Sequence, residues 1–337
     1  MNRFLARIFV LSFLASTVVV AYASSGGRAR ITSRTREPYL GAIVIDADVG
    51  TVIFEDHADE VGYPASVIKL MDMLIIQDRI KAGSLHLEDI VTATREAAQI
   101  GGTQVFLKER EIFPVEDLLY AIMIQSANDA ATALAIHIAG STTGFVDFMN
   151  KRAADLGMEA TRFHSVHGLP PSAGGNPDVS TPRDLTRLAR EILKYPDVLK
   201  YTSTLERGFR GGAFIMRTHD HLLRSVAGCD GLKTGFISAG GFSIVATVQR
   251  GGRRIIAVLM GCPTRVGRDK VAAELIEKGF LNLPPLPPPP PPPAPEKHEL
   301  PVKDTASQCR WIIKVCMLVA GAVVLLVAGI IIGKKKS

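Results

Sequence analysis

A serine that precedes a lysine by three residues is the first pair in this sequence able to form an activated nucleophile: Ser66 and Lys69, in Ser66-Val67-Ile68-Lys69. On a helix, positions i and i+3 share a face. A serine in the first turn also sits at the positive end of the helix dipole, which favours an alkoxide or oxyanion there. Lys69 lies on an otherwise apolar segment. Burying an ammonium is costly, so its pKa should fall and leave a neutral amine as base. An activated serine needs such a base. The same four letters also spell an ordinary N-cap serine with a solvated lysine. Two further clusters have the residue types to complete a site: Ser126-Ala127-Asn128, 60 residues after Ser66, and Lys233-Thr234-Gly235, 105 residues after Asn128.

The elements that would position these groups follow from the apolar pattern. Residues 40–46 (LGAIVID) read as a buried strand, Gly50 as a turn and 51–54 as a second strand. Residues 66–82 are apolar nearly all round and stop at Gly83, which predicts a helix buried mid-domain. Pro114 opens another helix that breaks at 125–128, and 129–139 forms the next. Thr181 and Asp184 stand at capping-box spacing before a further helix. Residues 231–236, 242–249 and 254–261 read as three strands joined by glycine turns, and 271–280 as a closing helix. Strands at both ends with helices between them predict one sheet built from the two chain ends, with a helical cluster beside it: an α+β fold. The Ser-x-x-Lys pair then falls on a helix, Ser126 to Asn128 in a helix break, and Lys233 to Gly235 on a strand.

In that order and placement, the three clusters resemble the signature of penicillin-recognising serine acyltransferases. Pro64-Ala65-Ser66, Ser126-Ala127-Asn128-Asp129-Ala130-Ala131, His167-Gly168-Leu169-Pro170 and Asp230-Gly231-Leu232-Lys233-Thr234-Gly235 are similar to recurring segments of the D-alanyl-D-alanine carboxypeptidases, the low-molecular-mass penicillin-binding proteins of serine peptidase family S11. The resemblance covers about residues 39–281. It implies a β-lactamase/transpeptidase-like fold, with a five-stranded antiparallel sheet packed with helices plus an all-helical cluster. It implies that Ser66 attacks the penultimate D-alanine carbonyl of a peptidoglycan stem peptide while Lys69 takes its proton. Ser126 and Asn128 would relay protons and hold the substrate amide. Lys233 and Thr234, followed by Gly235, would face the substrate carboxylate. The backbone N–H groups of Ser66 and Phe236 would form an oxyanion hole, and Arg268 would bind the terminal carboxylate. β-Lactams would acylate Ser66, and neither metal nor organic cofactor is implied. Three positions depart from the family pattern: Ile68 before the motif lysine, Ile237 two residues after the Lys-Thr-Gly, and Asp72 one turn beyond Lys69. Asp72 could pair with Lys69 and raise its pKa, or be solvated elsewhere.

Both chain ends have their own signals. Arg3, Arg7, the apolar run 9–20 and Ala21-Tyr22-Ala23 have the three parts of a secretory signal peptide over 1–23. A flexible segment is expected at 24–38. Residues 282–308 hold a proline-rich linker that favours polyproline II, read as a stalk. An SH3-type ligand is its alternative. Residues 315–333 carry no charge and would span roughly 28 Å as a helix, so a transmembrane helix is expected over 309–333. Lys334, Lys335 and Lys336 mark the 334–337 tail as cytoplasmic. An exported, membrane-anchored protein of the bacterial cell envelope follows. The net charge of +6 resides largely in Arg3, Arg7 and the three terminal lysines. The middle is nearly neutral, which argues against nucleic acid as a partner. Four cysteines exclude a disulfide-dense scaffold. Cys229 and Cys262 lack metal-site spacing, and His164 with His167 and His219-Asp220-His221 resemble ligand pairs only loosely. A D,D-endopeptidase shares all the motifs. A β-lactamase needs a deacylating carboxylate segment such as Glu-x-x-Leu-Asn, which the sequence lacks. A degenerate cell-wall binding module would not need Ser66, Lys69, Asn128 and Lys233 together.

Overall fold

The computed structural model describes residues 36–171, 174–283 and 305–333, with side chains in the last stretch over 308–324. The expected signal peptide, all but the end of the 24–38 segment, most of the linker and the lysine tail lie outside the described residues. Chain contacts separate a unit ending at Pro284 from one beginning at Pro285.

In the first unit, β1 (Gly41–Asp46) and β2 (Val52–Asp56) form a hairpin, and a 3-10 turn at Ala65–Ile68 leads into α1 (Lys69–Lys81). A small hairpin of β3 (Ile90–Thr92) and β4 (Ile112–Pro114) brackets α2 (Arg95–Gln99). Then come α3 (Val115–Tyr120), α4 (Asn128–Ala139), α5 (Thr142–Asp155), α6 (Pro182–Ile192) and α7 (Val198–Thr202). A second hairpin, β5 (Glu206–Phe209) with β6 (Phe214–Arg217), and the short α8 (Leu222–Ser225) precede β7 (Cys229–Ile237), β8 (Gly241–Arg250) and β9 (Arg253–Cys262). The unit closes with α9 (Arg265–Leu281).

Five strands make one antiparallel sheet in the order β2-β1-β9-β8-β7. The sheet is therefore assembled from both chain ends, as the sequence predicts. Alternate side chains explain why its central strands read as continuous apolar runs. Val44, Ala246, Ala257 and Leu259 pack with Leu275 and Ile276 of α9 on one face. Ile43, Val245, Ile256 and Val258 join the larger core containing α1 and α6 on the other. With both faces covered, every position of β1 is buried. Each such Val or Ile contributes roughly 1.5–3 kcal/mol by leaving water.

Two elements differ from expectation where the site is built. The predicted helix 66–82 begins as a tight 3-10 turn, so Ser66 precedes the α-helix rather than opening it. Ala65 enters that turn at φ +49, and Val67 N–H donates to Pro64 O at 3.1 Å. The helix from Pro114 widens into a π turn at Ala121–Gln125 and ends with Ser126 left-handed at φ +60. At α6 only half the capping box forms: Thr181 Oγ1 accepts from Asp184 N–H, while the Asp184 carboxylate turns to Ala160 N–H and Thr161 Oγ1. Helix α9 starts at Arg265, before the expected 271, because Thr264 caps it by accepting from Gly267 N–H at 3.0 Å.

In the second unit, α10 (Thr305–Gly333) is a helix of 29 residues. Among the described residues, no helix is long and apolar enough to cross a membrane; the described side chains of α10 end at 324.

Candidate active site

The three motif clusters converge. Lys69 Nζ lies 3.0 Å from Ser66 Oγ, 2.8 Å from Asn128 Oδ1 and 2.7 Å from the His167 carbonyl oxygen. The two carbonyl oxygens can only accept. A neutral amine has two N–H groups to give them, so its lone pair faces the serine hydroxyl. The geometry thus fits Lys69 as a base toward Ser66. Lys69 is fully buried on α1, among Leu70, Met71 and Leu74. Burial lowers its pKa to about 8, against the opposing pull of Asp72, Asp178 and Asp129.

Each partner is held by a local device. Asn128 opens α4: its N–H donates to Thr103 O at 2.8 Å and its Nδ2 to Gly101 O at 2.9 Å, which turns Oδ1 toward the lysine. The next residue, Asp129, accepts the backbone N–H groups of Val105 and Leu107 and ties down the loop beside it. The His167 carbonyl, to which the sequence reading gave no role, is placed by Gly168 at φ +78. A Cβ there would stand 2.3 Å from Ala65 O and 2.9 Å from Ser66 N, so only glycine lets this loop press on the nucleophile turn. Asp178 holds the loop by accepting from His164 N–H, Ser165 N–H and Ser165 Oγ. The signal for this part was the His-Gly-Leu-Pro string itself, whose glycine marks a close backbone approach.

Strand β7 forms the opposite wall. A Cβ on Gly235 would lie 2.5 Å from Pro64 O and 3.2 Å from Ser66 N, so the strand runs in contact with the serine turn. Lys233 is buried, its Nζ donating to Thr234 O at 3.2 Å. Burial, then the neighbouring charges of Lys69 and Arg268, push its pKa well below the ordinary lysine value. Phe236 is half-exposed and stacks on Phe242 with ring centroids 4.2 Å apart. Ser66, Ser126, Thr234, Gly235, Phe236 and Arg268 all line one cavity of about 600 Å³. Ser126 has no hydrogen bond to Lys69 or Ser66 among the described residues. Arg268 is buried, and its Nε donates to Asp269 at 2.9 Å, so it already holds a carboxylate.

Asp72 makes no hydrogen bond or ion pair with Lys69 among the described residues, although it pulls the Lys69 pKa upward, and it is not solvated either. It is buried, with both carboxylate oxygens lacking a hydrogen-bond partner among the described residues. Desolvation raises its pKa well above the usual carboxylate range, despite the Lys69 charge. Among the described residues, no three His, Cys, Asp or Glu side chains are grouped to hold a metal ion. His219 and His221, read as loose ligand pairs, instead line the cavity with Arg217 and Arg265. None of these four was singled out for the site by the sequence, because their positions follow from hairpin β5–β6 and the cap of α9.

Residues 38–264 match the family described as D-alanyl-D-alanine carboxypeptidase. The chain is 31% identical over 283 residues to D-alanyl-D-alanine carboxypeptidase DacF of Bacillus subtilis, covering 83% of this chain and 71% of that protein. It is 34% identical over 246 residues to DacC of Escherichia coli, covering 71% and 60%. The ampicillin-bound structure of penicillin-binding protein D2 from Listeria monocytogenes superposes with a TM-score of 0.66 at 31% identity, covering 72% of this chain and 97% of that one.

Proposed function

Since this chain belongs to the D-alanyl-D-alanine carboxypeptidase family, a family of penicillin-binding serine peptidases, we propose that its Ser66 removes the terminal D-alanine from peptidoglycan stem peptides through an acyl-enzyme. The observation that carries this reading is the Lys69 amine set between Ser66 Oγ and two acceptor carbonyls. Ser66 Oγ attacks the carbonyl of the penultimate D-alanine, and its proton passes to Lys69 Nζ. The developing oxyanion is met by the N–H groups of Ser66 and Phe236, each worth about 3 kcal/mol in the transition state. The contact of Gly235 with the serine turn supports that pairing. The carbon–nitrogen bond breaks, Lys69 returns the proton to the leaving amine, and D-alanine departs. Water then attacks the ester, with Lys69 again as base. Ser126, on the cavity wall, passes protons between amine and leaving group. Lys233, Thr234 and Arg268 receive the terminal carboxylate. A negative charge reaching buried Lys233 restores part of the proton affinity that burial removes. A β-lactam, as in the ampicillin-bound Listeria structure, acylates the same serine.

Export and membrane attachment belong to the same reading. They are supported by the signal-like first 23 residues, the proline-rich 282–308 and the helical backbone of α10 through Gly333. The helix crosses the cytoplasmic membrane with the lysine tail inside and the catalytic domain, residues 39–281, outside.

The test incubates the full-length protein with a fluorescent penicillin, and separately with a pentapeptide ending in D-Ala-D-Ala. Expected are a slowly released label on Ser66 and free D-alanine. Ser66→Ala loses both while keeping its thermal transition. Rapid turnover of the penicillin would instead make the protein a β-lactamase, and release only from cross-linked dimers would make it an endopeptidase.

A further inference from the structure

The active cavity carries more positive charge than a D-alanine leaving group can use. It is lined by Arg217, Arg265 and Arg268 together with His219 and His221, and among the described residues no aspartate or glutamate lines it. Two of the arginines are answered from outside the lining. Glu206 accepts from Arg217 Nε at 3.0 Å, and Asp269 accepts from Arg268 Nε at 2.9 Å. Asp269 also lies 3.6 Å from His221 Nδ1. Arg265, exposed in the first turn of α9, has no carboxylate partner among the described residues. Lys233, next to the lining residue Thr234, is itself buried and does not line the cavity; its Nζ donates to Thr234 O, and it has no carboxylate partner among the described residues. Asp220, the acid nearest Lys233 in charge terms, is buried and gives one carboxylate oxygen to Leu222 N–H and the other to no partner. Arg265 is thus the arginine of the lining without a protein counter-charge among the described residues. The α-carboxylate of a leaving D-alanine goes to Lys233, Thr234 and Arg268 in the reading above, which leaves Arg265 over.

We propose that the leaving-group side of the cavity accepts a D-amino acid bearing a second carboxylate, which Arg265 holds with His219 and His221 beside it. The substrate class is a peptide with a dicarboxylic D-residue after the scissile bond, of which a D-Ala-D-Ala peptide is the smaller member. The inference rests on the carboxypeptidase reading, because it takes the Lys233 to Arg268 side of Ser66 as the side where the leaving group sits. The neutral imidazole of His219 fits the role of donor. Burial, followed by the charges of Lys233, Arg268, His221 and Arg265, brings its pKa down to about 4. It can therefore donate from one ring nitrogen without adding further charge.

The experiment compares kcat/KM for four peptides that differ only in the last residue: D-Ala, D-Gln, D-Glu and D-Lys. Wild type should favour D-Glu over the isosteric D-Gln about threefold to tenfold at low salt, with D-Lys poorest. The preference should shrink as ionic strength rises. Arg265→Ala should bring the D-Glu to D-Gln ratio near one, and Arg265→Glu should place D-Lys above D-Glu. Fluorescent-penicillin labelling of each variant shows that the nucleophile is intact. Equal use of D-Glu and D-Gln by wild type, or a ratio unchanged in Arg265→Ala, would overturn the inference while release from the D-Ala peptide leaves the carboxypeptidase reading standing. No release from any peptide overturns that reading instead.

Discussion

Lys69 and Asp72 share one helix turn and one problem, an ionisable group without water. The amine solves it with two carbonyl acceptors and a serine, the carboxyl with none. With the neutral amine in its proposed role as base and its pKa lowered by burial to about 8, acylation should rise with pH through that region. A pH profile of the penicillin acylation rate checks this, and a profile flat from pH 6 to 9 would exclude Lys69 as the base. Asp72 has a raised pKa. The unfolded chain ionises it near pH 4 while the folded protein keeps its proton, so stability falls as pH climbs above that point. Asp72→Leu should therefore raise Tm at pH 7, by about 1–3 kcal/mol of stability, with the gain shrinking toward pH 4. A variant less stable than wild type at pH 7 would contradict this account.

The catalytic geometry depends on three backbone segments pressed together more than on any side chain. The 3-10 turn carries Ser66, the 167–168 loop carries the carbonyl that orients Lys69, and β7 closes the other side. Gly168 and Gly235 are the contact points. Gly168→Ala puts a methyl against Ala65 O at a left-handed φ, so the loop must retreat and take the His167 carbonyl with it. The acylation rate should fall tenfold or more while β-sheet content by circular dichroism is unchanged. Labelling of the Gly168→Ala variant at the wild-type rate would show that the carbonyl does not position the lysine. The π turn at Ala121–Gln125 serves the same end. By ending α3 in a left-handed Ser126, it delivers Ser126 to the cavity and lets Asn128 start a new helix aimed at Lys69.

Across the molecule, the sheet joins β1 and β2 from the start of the domain to β7, β8 and β9 from its end. Helix α9 lies on the face away from α1 and α6, yet its first turn brings Arg265 and Arg268 to the cavity. The catalytic unit and α10 belong to separate contact units on either side of Pro284. Deleting residues 305–337 should thus leave penicillin labelling intact and, on the proposed anchoring by α10, move the protein from the membrane pellet to the soluble fraction. Persistence in the pellet would remove α10 as the anchor.

The sequence by itself determined the reaction class, through the family resemblance that the order and placement of its three motifs carry. Ser66, Lys69, Asn128 and Lys233 are chemically special types placed on elements whose apolar patterns are long enough to read, and the two-ended sheet follows from strand runs buried on both faces. It also marked Asp72 as an odd neighbour for a base. Hairpins β3–β4 and β5–β6 were not legible, since strands of three or four residues carry too little periodicity. The role of the His167 carbonyl was hidden because a backbone oxygen has no letter of its own. The cationic rim was hidden too: Arg217, His219, His221 and Arg265 are ordinary surface types until folding sets a hairpin and a helix start around Ser66. Local letters fix what a group can do. Which groups meet, and which charges go unanswered, depends on contacts between segments far apart in the chain, and only packing decides those.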